Sequence, residues 1–310
     1  MRRPHFFIVG APKCGTTALA SYLRGHPEIF LSPVKEPNYF CLDAPGLRVV
    51  DRSDAYGRLF ASALPEQLCG EASTAYLFSE AAVPAILEWN PAAIIIVLVR
   101  DPLDMVLSHH SQKVHNFEEN ELDFATAWRL SGERARGRKV AADCRAPKYL
   151  DYRAIGRLGE QLQRLKTLVP ESQLHAIVFD DLRADPGAVY RGTLAFLGVA
   201  ADGKNAFPVV NARKTNAWPG LARLLKRPPA PIRRLKLAAK RAFPAHSKAI
   251  GSVIHGLNQR PEHRRPLAER LRAEVAAAFE DDVALLGRLL NRDLSHWCKH
   301  EHSLPDEASQ

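Results

Sequence analysis

The chain has 310 residues, 46% hydrophobic and 25% charged, enough for one large α/β domain or two small ones around a sizeable core. Five scattered cysteines, Cys14, Cys41, Cys69, Cys144 and Cys298, form no C-x-x-C pair, which argues against a disulfide framework and a zinc site and makes a reducing cytoplasm the expected compartment. The net charge of +9 is unevenly spread: residues 203–261 hold thirteen Lys and Arg and no Asp or Glu, so an anionic partner is expected near that block.

No apolar run approaches the roughly 20 residues needed to span a bilayer, and Phe6 to Val9 is too short for a secretory apolar region. That run instead belongs to a buried strand, His5 to Ala11. A Gly/Pro/Lys loop leads from it into an apolar-periodic helix, Thr16 to Leu23. Further strands are predicted at Gln67 to Glu71, Ile94 to Val99 and Leu174 to Phe179. Helical patterns lie between them at Ser79 to Trp89, Leu103 to Gln112, Leu122 to Arg136 and Leu150 to Val169. The alternation predicts an α/β fold with a central parallel sheet flanked by helices. Beyond the Pro-rich stretch Arg227 to Pro231, Ile232, Leu235, Ala239 and Phe243 fall on one side of a short basic helix. A last helix, about Pro266 to Leu290, carries Leu267, Leu271, Val275, Phe279, Val283 and Leu286 at three- and four-residue steps. The expected organisation is a single domain over residues 1–300, with a basic lid or insertion at about 203–261, and a polar tail at 301–310.

Three motifs carry chemistry. In the first, Gly10-Ala11-Pro12-Lys13-Cys14-Gly15-Thr16-Thr17, backbone N–H groups and a helix N-terminus converge on one point, a geometry that binds an anion. The glycine spacing is that of a Walker A loop. Gly15-Thr16-Thr17, however, replaces Gly-Lys-Ser/Thr and the loop's lysine, Lys13, comes early, which disfavours a magnesium-dependent nucleotide triphosphatase. In the second, the β-branched run Ile94 to Val99 ends in Arg100-Asp101-Pro102, with Ser108 eight residues after Arg100 on the helix that Pro102 starts. Arg100 thereby reaches the carboxyl end of a strand, where ligands of open sheets collect, and its guanidinium fork suits a phosphate. In the third, Ser32 to Phe40, Glu36 stands beside the aromatic pair Tyr39-Phe40. A carboxylate there is suited to general-base work, whereas the bland alternative is a solvated ion pair with Lys35.

The run Pro-Lys-x-Gly-Thr-Thr-x-Leu after an apolar strand resembles the 5′-phosphosulfate loop of sulfotransferases that use 3′-phosphoadenosine 5′-phosphosulfate (PAPS), particularly the bacterial members related to the heparan-type domain. Arg-Asp-Pro followed by Ser108 looks like their 3′-phosphate motif, and the resemblance extends over about residues 5–297. It implies a P-loop-like three-layer fold, and PAPS as co-substrate with 3′-phosphoadenosine 5′-phosphate (PAP) as product. No metal is required on this reading. Lys13, Cys14, Gly15, Thr16 and Thr17 would hold the 5′ side of the nucleotide, and Arg100 with Ser108 the 3′-phosphate. Arg213 and Lys214 match a basic loop that the family folds over the nucleotide. Glu36 matches the family's general base, and Lys13 would act on the leaving group. His109 and His110 rank below Glu36 as rival bases or substrate contacts. In Gly70-Glu71-Ala72-Ser73, Ala72 stands where the family has a lysine, and either Lys35 or Ser73 is expected to replace its contact with the sulfuryl group.

The implied function is sulfuryl transfer to a hydroxyl or amine of a small-molecule, saccharide or lipid acceptor, with an anionic acceptor or a peripheral contact with an anionic membrane surface suggested by the basic block. No nucleic-acid partner is expected. An atypical P-loop small-molecule kinase and a non-catalytic protein that binds a nucleotide or an anionic glycan are the alternatives. Magnesium-dependent ATP turnover would mark the first, and dispensability of Glu36 the second.

Overall fold

The computed structural model describes residues 3–208, 214–216, 259–261 and 267–298. Five parallel strands form its sheet: β1 (Phe6–Gly10), β2 (Ile29–Leu31), β3 (Leu68–Ala72), β4 (Ile94–Val99) and β5 (Leu174–Val178), in the order β2-β3-β1-β4-β5. β1 is buried at every position and β4 at all but its first, as continuous apolar runs must be when both faces of a sheet are covered. All four predicted strand ranges begin and end within one residue of the observed ends, and Ile94–Val99 matches at both. β2 has no counterpart among the predictions, because its three residues are too few to show a period.

The covering helices are α1 (Thr16–Arg24), α2 (Ser53–Arg58), α3 (Ala82–Trp89), α4 (Pro102–His115), α5 (Phe124–Arg129), α6 (Ser131–Ala135), α7 (Tyr152–Gly156), α8 (Leu158–Leu168), α9 (Phe179–Ala184), α10 (Pro186–Leu197), α11 (Glu269–Ala277) and α12 (Glu280–Leu290). None of the described helices is long and apolar enough to cross a membrane.

Three predicted helices are each broken in two, and the causes are specific. The pattern at 122–136 parts at Leu130, the end of α5. The pattern at 150–169 parts at Arg157, whose ψ of 75° leaves the helical region. There the side-chain amide of Gln161 donates to the carbonyls of Ile155 (3.1 Å) and Arg157 (3.0 Å), the second of which also accepts from the Gln161 backbone amide (3.3 Å). The Asp282 carboxylate accepts from the amides of Gly159 (2.8 Å) and Glu160 (2.9 Å), and so caps α8 from α12. The pattern at 266–290 parts around Ala278 and Phe279, with Phe279 buried edge-on against Trp128, ring centroids 5.6 Å apart. Val275, Phe279, Val283 and Leu286 are all buried, so the apolar period ran through a corner that both helices share.

A second sheet pairs β6 (Lys214–Asn216) antiparallel with β7 (Gln259–Pro261), with Asn216 opposite Gln259. Arg213, the Pro-rich stretch, the predicted basic helix and the polar tail at 301–310 lie outside the described residues.

Candidate active site

The first two motifs leave the carboxyl ends of the adjacent strands β1 and β4, and the third follows β2, which β3 separates from β1. Ile8 of β1 stands in register with Ala72 of β3 on one side and Ile96 of β4 on the other, and Gly10 with Val97. β2 and β3 lie to one side of β1, β4 and β5 to the other, so the loop after β1 opens at the switch point of an open α/β sheet.

Ala11 donates its N–H to the Leu98 carbonyl at 2.7 Å, tying the loop after β1 to β4. Gly15 caps α1 with φ of 90°, and a Cβ on it would lie 2.6 Å from Leu182 Cδ2, so conformation and space both require glycine. The amides of Ala18 and Leu19 return to the Gly15 carbonyl at 2.9 and 3.1 Å. Those of Thr16 and Thr17 precede them in the first turn, where N–H groups lack an intrahelical acceptor and carry the positive end of the helix dipole. Lys13 is half-buried with φ of 65°. The Cys14 side chain is buried, and burial pushes its thiol up to about 12; it donates to the Pro12 carbonyl at 3.4 Å. Cys14 therefore shapes the turn with a neutral thiol.

Arg100 joins the second motif to the first. Its guanidinium donates to the Lys13 carbonyl at 3.4 Å, pairs with Asp104 and lies 4.7 Å over the Phe179 ring. Asp104 and Ser108, four residues apart on α4, share one face of that helix, and Ser108 is 7% exposed. Asp101 caps α4 by accepting from the Leu103 amide at 2.9 Å, and burial, helped by the neighbouring Asp104 charge, pushes its carboxyl up to about 7.

Glu36 is held over the end of β3. Its amide donates to the Ala72 carbonyl at 2.9 Å, and one carboxylate oxygen accepts from Lys35 Nζ at 2.7 Å and Thr74 Oγ1 at 3.2 Å. Glu36 and Asn38 have φ of 55° and 50°, so with Lys13 three of the six left-handed non-glycine residues among the described ones belong to the motif loops. The ion pair that the bland alternative pictured is present, yet it sits in a built position, with Lys35 and Glu36 both only about a third exposed.

Side chains alternate along β3 and just past it, which separates two hydroxyls the sequence left together. Glu71 and Ser73 share one face, where Ser73 Oγ donates to Glu71 and both residues are fully buried. Ala72 and Thr74 share the other, with Glu36. Thr74, not Ser73, is thus the hydroxyl beside the carboxylate. Period-two alternation was the signal that identifies it.

His109 and His110 lie within the helix packing at 5% exposure each, with Nε2 of His109 2.9 Å from the Tyr149 carbonyl and Nε2 of His110 2.9 Å from the Glu121 carbonyl. Burial, then the Lys113 charge, lowers His109 to about 3. The Lys13 charge also acts on His109. The backbone of Lys214 belongs to β6.

The profile of the sulfotransferase domain matches residues 3–216, more than half of the chain. A crystal structure of a sulfotransferase from Alicyclobacillus acidocaldarius superposes with a TM-score of 0.70 at 28% identity, covering 96% of this chain and 99% of that one. Human carbohydrate sulfotransferase 15 is 57% identical over 37 residues, 12% of this chain and 7% of that protein. Human bifunctional heparan sulfate N-deacetylase/N-sulfotransferase 3 is 29% identical over 208 residues, 64% of this chain and 22% of that protein. Mouse heparan sulfate glucosamine 3-O-sulfotransferase 6 is 33% identical over 112 residues, 36% of this chain. The match spans 31% of that relative's length, so this chain covers less than a third of each curated relative named.

Proposed function

Because the chain belongs to the sulfotransferase domain family, we propose that it moves the sulfuryl group of PAPS to a hydroxyl or amine of a saccharide acceptor, with Glu36 as general base. The observation that carries this reading is the contact between Arg100 and the Lys13 carbonyl, which puts two anion-binding motifs on one crevice with Glu36 at its third strand. The donor set fits a nucleotide with phosphates at both the 5′ and 3′ positions: first-turn amides and Lys13 on one side, the Arg100 fork and Ser108 on the other.

PAPS supplies the sulfuryl group when bound. The Glu36 carboxylate takes the proton of the acceptor hydroxyl as its oxygen bonds to sulfur, and the bond from sulfur to the 5′-phosphate oxygen breaks, releasing PAP. Lys13 and the loop amides stabilise the charge that grows on that leaving oxygen. Lys35 is the cation beside Glu36, and takes the sulfuryl contact of the lysine that Ala72 replaces. A saccharide is favoured as acceptor by the names of the curated relatives, carbohydrate and heparan sulfate sulfotransferases. The acid-free block at 203–261 suits an anionic acceptor or an anionic membrane surface that carries it, and the reducing cytoplasm remains the proposed compartment.

The test is a screen with sulfur-labelled PAPS against desulfated glycosaminoglycans, simple sugars, phenols and lipid headgroups, with magnesium-ATP as control. Label transferred to a sugar is the expected result. Phosphate transfer from ATP would replace this reading with the kinase, and donor binding without transfer to any acceptor class would favour the non-catalytic binder.

A further inference from the structure

Glu71 is a fully buried carboxylate in the middle of the sheet, and among the described residues it has no ion pair. Hydroxyls take the place of a cation. Tyr56 and Ser73 each donate an O–H to it, and the Tyr76 hydroxyl is a third hydrogen-bond partner. Burial pushes the carboxyl up to about 7, with the three hydroxyls pulling it back. A buried charge on such terms is costly, and a neutral core would avoid it.

The same hydroxyls lead to the segment that carries Glu36. Ser73 Oγ accepts from the Asn38 amide at 3.1 Å, and the Tyr76 hydroxyl accepts from the Phe40 amide at 3.3 Å. Tyr56 stacks on Tyr39, ring centroids 4.3 Å apart and planes 13° from parallel. Glu71 is therefore one bond removed from the residues at 38, 39 and 40. That segment needs holding, because Glu36 and Asn38 adopt left-handed backbone, with φ of 55° and 50°. We propose that Glu71 is the positioning residue of the active site: through Ser73, Tyr56 and Tyr76 it fixes the strained segment 36–40, and so sets where the Glu36 carboxylate meets the acceptor. The role rests on Glu36 being the base.

Glu71→Gln tests it, since Tyr56 and Ser73 donate to different carboxylate oxygens and an amide puts an NH2 donor in place of one of those two acceptors. Two readouts are taken on the full chain: hydrogen exchange at the Asn38 and Phe40 amides, and PAP release from labelled PAPS with the fastest acceptor in the screen above, water included. Exchange at both amides should quicken at least about tenfold while β1 amides are unchanged, and kcat should fall at least about tenfold with PAP affinity within about twofold. Ser73→Ala should reproduce the loss, and the double variant should be no worse than either single one. If Glu71→Gln does not fold, Ser73→Ala decides alone. A kcat within about twofold of the parent, or a loss matched by an equal loss of PAP affinity, overturns the proposal. Glu36→Gln runs beside them. Transfer surviving in it removes the base assignment and the positioning role together, whereas a dead Glu36→Gln beside a normal Glu71→Gln removes the positioning role alone.

Discussion

Lys35 and Glu36, consecutive in sequence, face each other as an ion pair with Nζ 2.7 Å from Oε1. On the proposed role, the base holds its own counter-ion until the acceptor arrives, and Thr74 holds the same oxygen. Glu36→Gln keeps size and hydrogen bonding while abolishing basicity, so transfer should fall by about 10² or more with PAP affinity unchanged. Initial rates and calorimetry on the two proteins check it. A variant as fast as the parent would end the assignment.

Removing the cation asks a separate question. Lys35→Met should lower kcat by about 10²-fold, the scale of losing one preorganised charge from a transition state, and leave PAP binding nearly intact. An equal loss in PAP affinity and kcat would move Lys35 from the sulfuryl group to the nucleotide.

Arg100 bridges Asp104 and the Lys13 carbonyl, so its fork is oriented in advance. PAP should bind much more tightly than AMP. Arg100→Ala should erase most of the difference, about 1.5–3 kcal/mol for a charge-assisted contact. Titration calorimetry with both nucleotides reads it, and equal affinities in the parent would refute the 3′-phosphate role.

In the proposed mechanism Lys13 acts on charge that is greatest when the bond to sulfur is half broken. Lys13→Ala should therefore lower kcat by more than it weakens PAPS binding, which survives in part through the loop amides. Normal turnover at saturating PAPS would take Lys13 out of the chemistry.

His109 gives a pH signature. Burial lowers it from 6.5 to about 3, so the fold favours the neutral ring, and the stability that this contributes is full above pH 6.5 and lost as pH falls toward 3. Glu71 and Asp101, both raised to about 7, act with the opposite sign and lose their contribution as pH rises through 7. Comparing His109→Gln with the parent isolates the histidine: the parent's stability advantage should shrink between pH 6.5 and 4.5, while kcat near pH 7.5 stays within about twofold. A catalytic histidine would show the reverse, a lost rate with an unchanged melting profile.

The sheet was legible because buried parallel strands are continuous apolar runs, and Phe6–Gly10 and Ile94–Val99 are such runs. Helix ends were less so. The apolar period reads on through Arg157 and Phe279, because what breaks each helix is a distant partner, Asp282 for one and Trp128 for the other. At the site, loop motifs were legible because glycine, lysine and threonine at fixed spacing state a local backbone need. That Thr74 rather than Ser73 meets Glu36, and that His109 and His110 point into the packing, depends on faces that adjacent residues do not share.

The cap that Asp282 places on α8 crosses 123 residues of sequence, and it is one of several ties of this kind among the described residues. Trp297 Nε1 donates to Asp180 at 2.8 Å and Arg292 pairs with Asp181, both on α9, whose Phe179 and Leu182 close on Gly15. The loop proposed to hold the nucleotide is thus braced from behind by residues beyond the 3–216 stretch shared with the family profile. Autonomy of folding and completeness of motif are different properties here. A fragment ending at residue 216 would keep every site residue from Lys13 to Ser108 and lose the scaffolding that sets their spacing, so it should bind PAP far more weakly than the intact chain, for a reason no motif search would reveal.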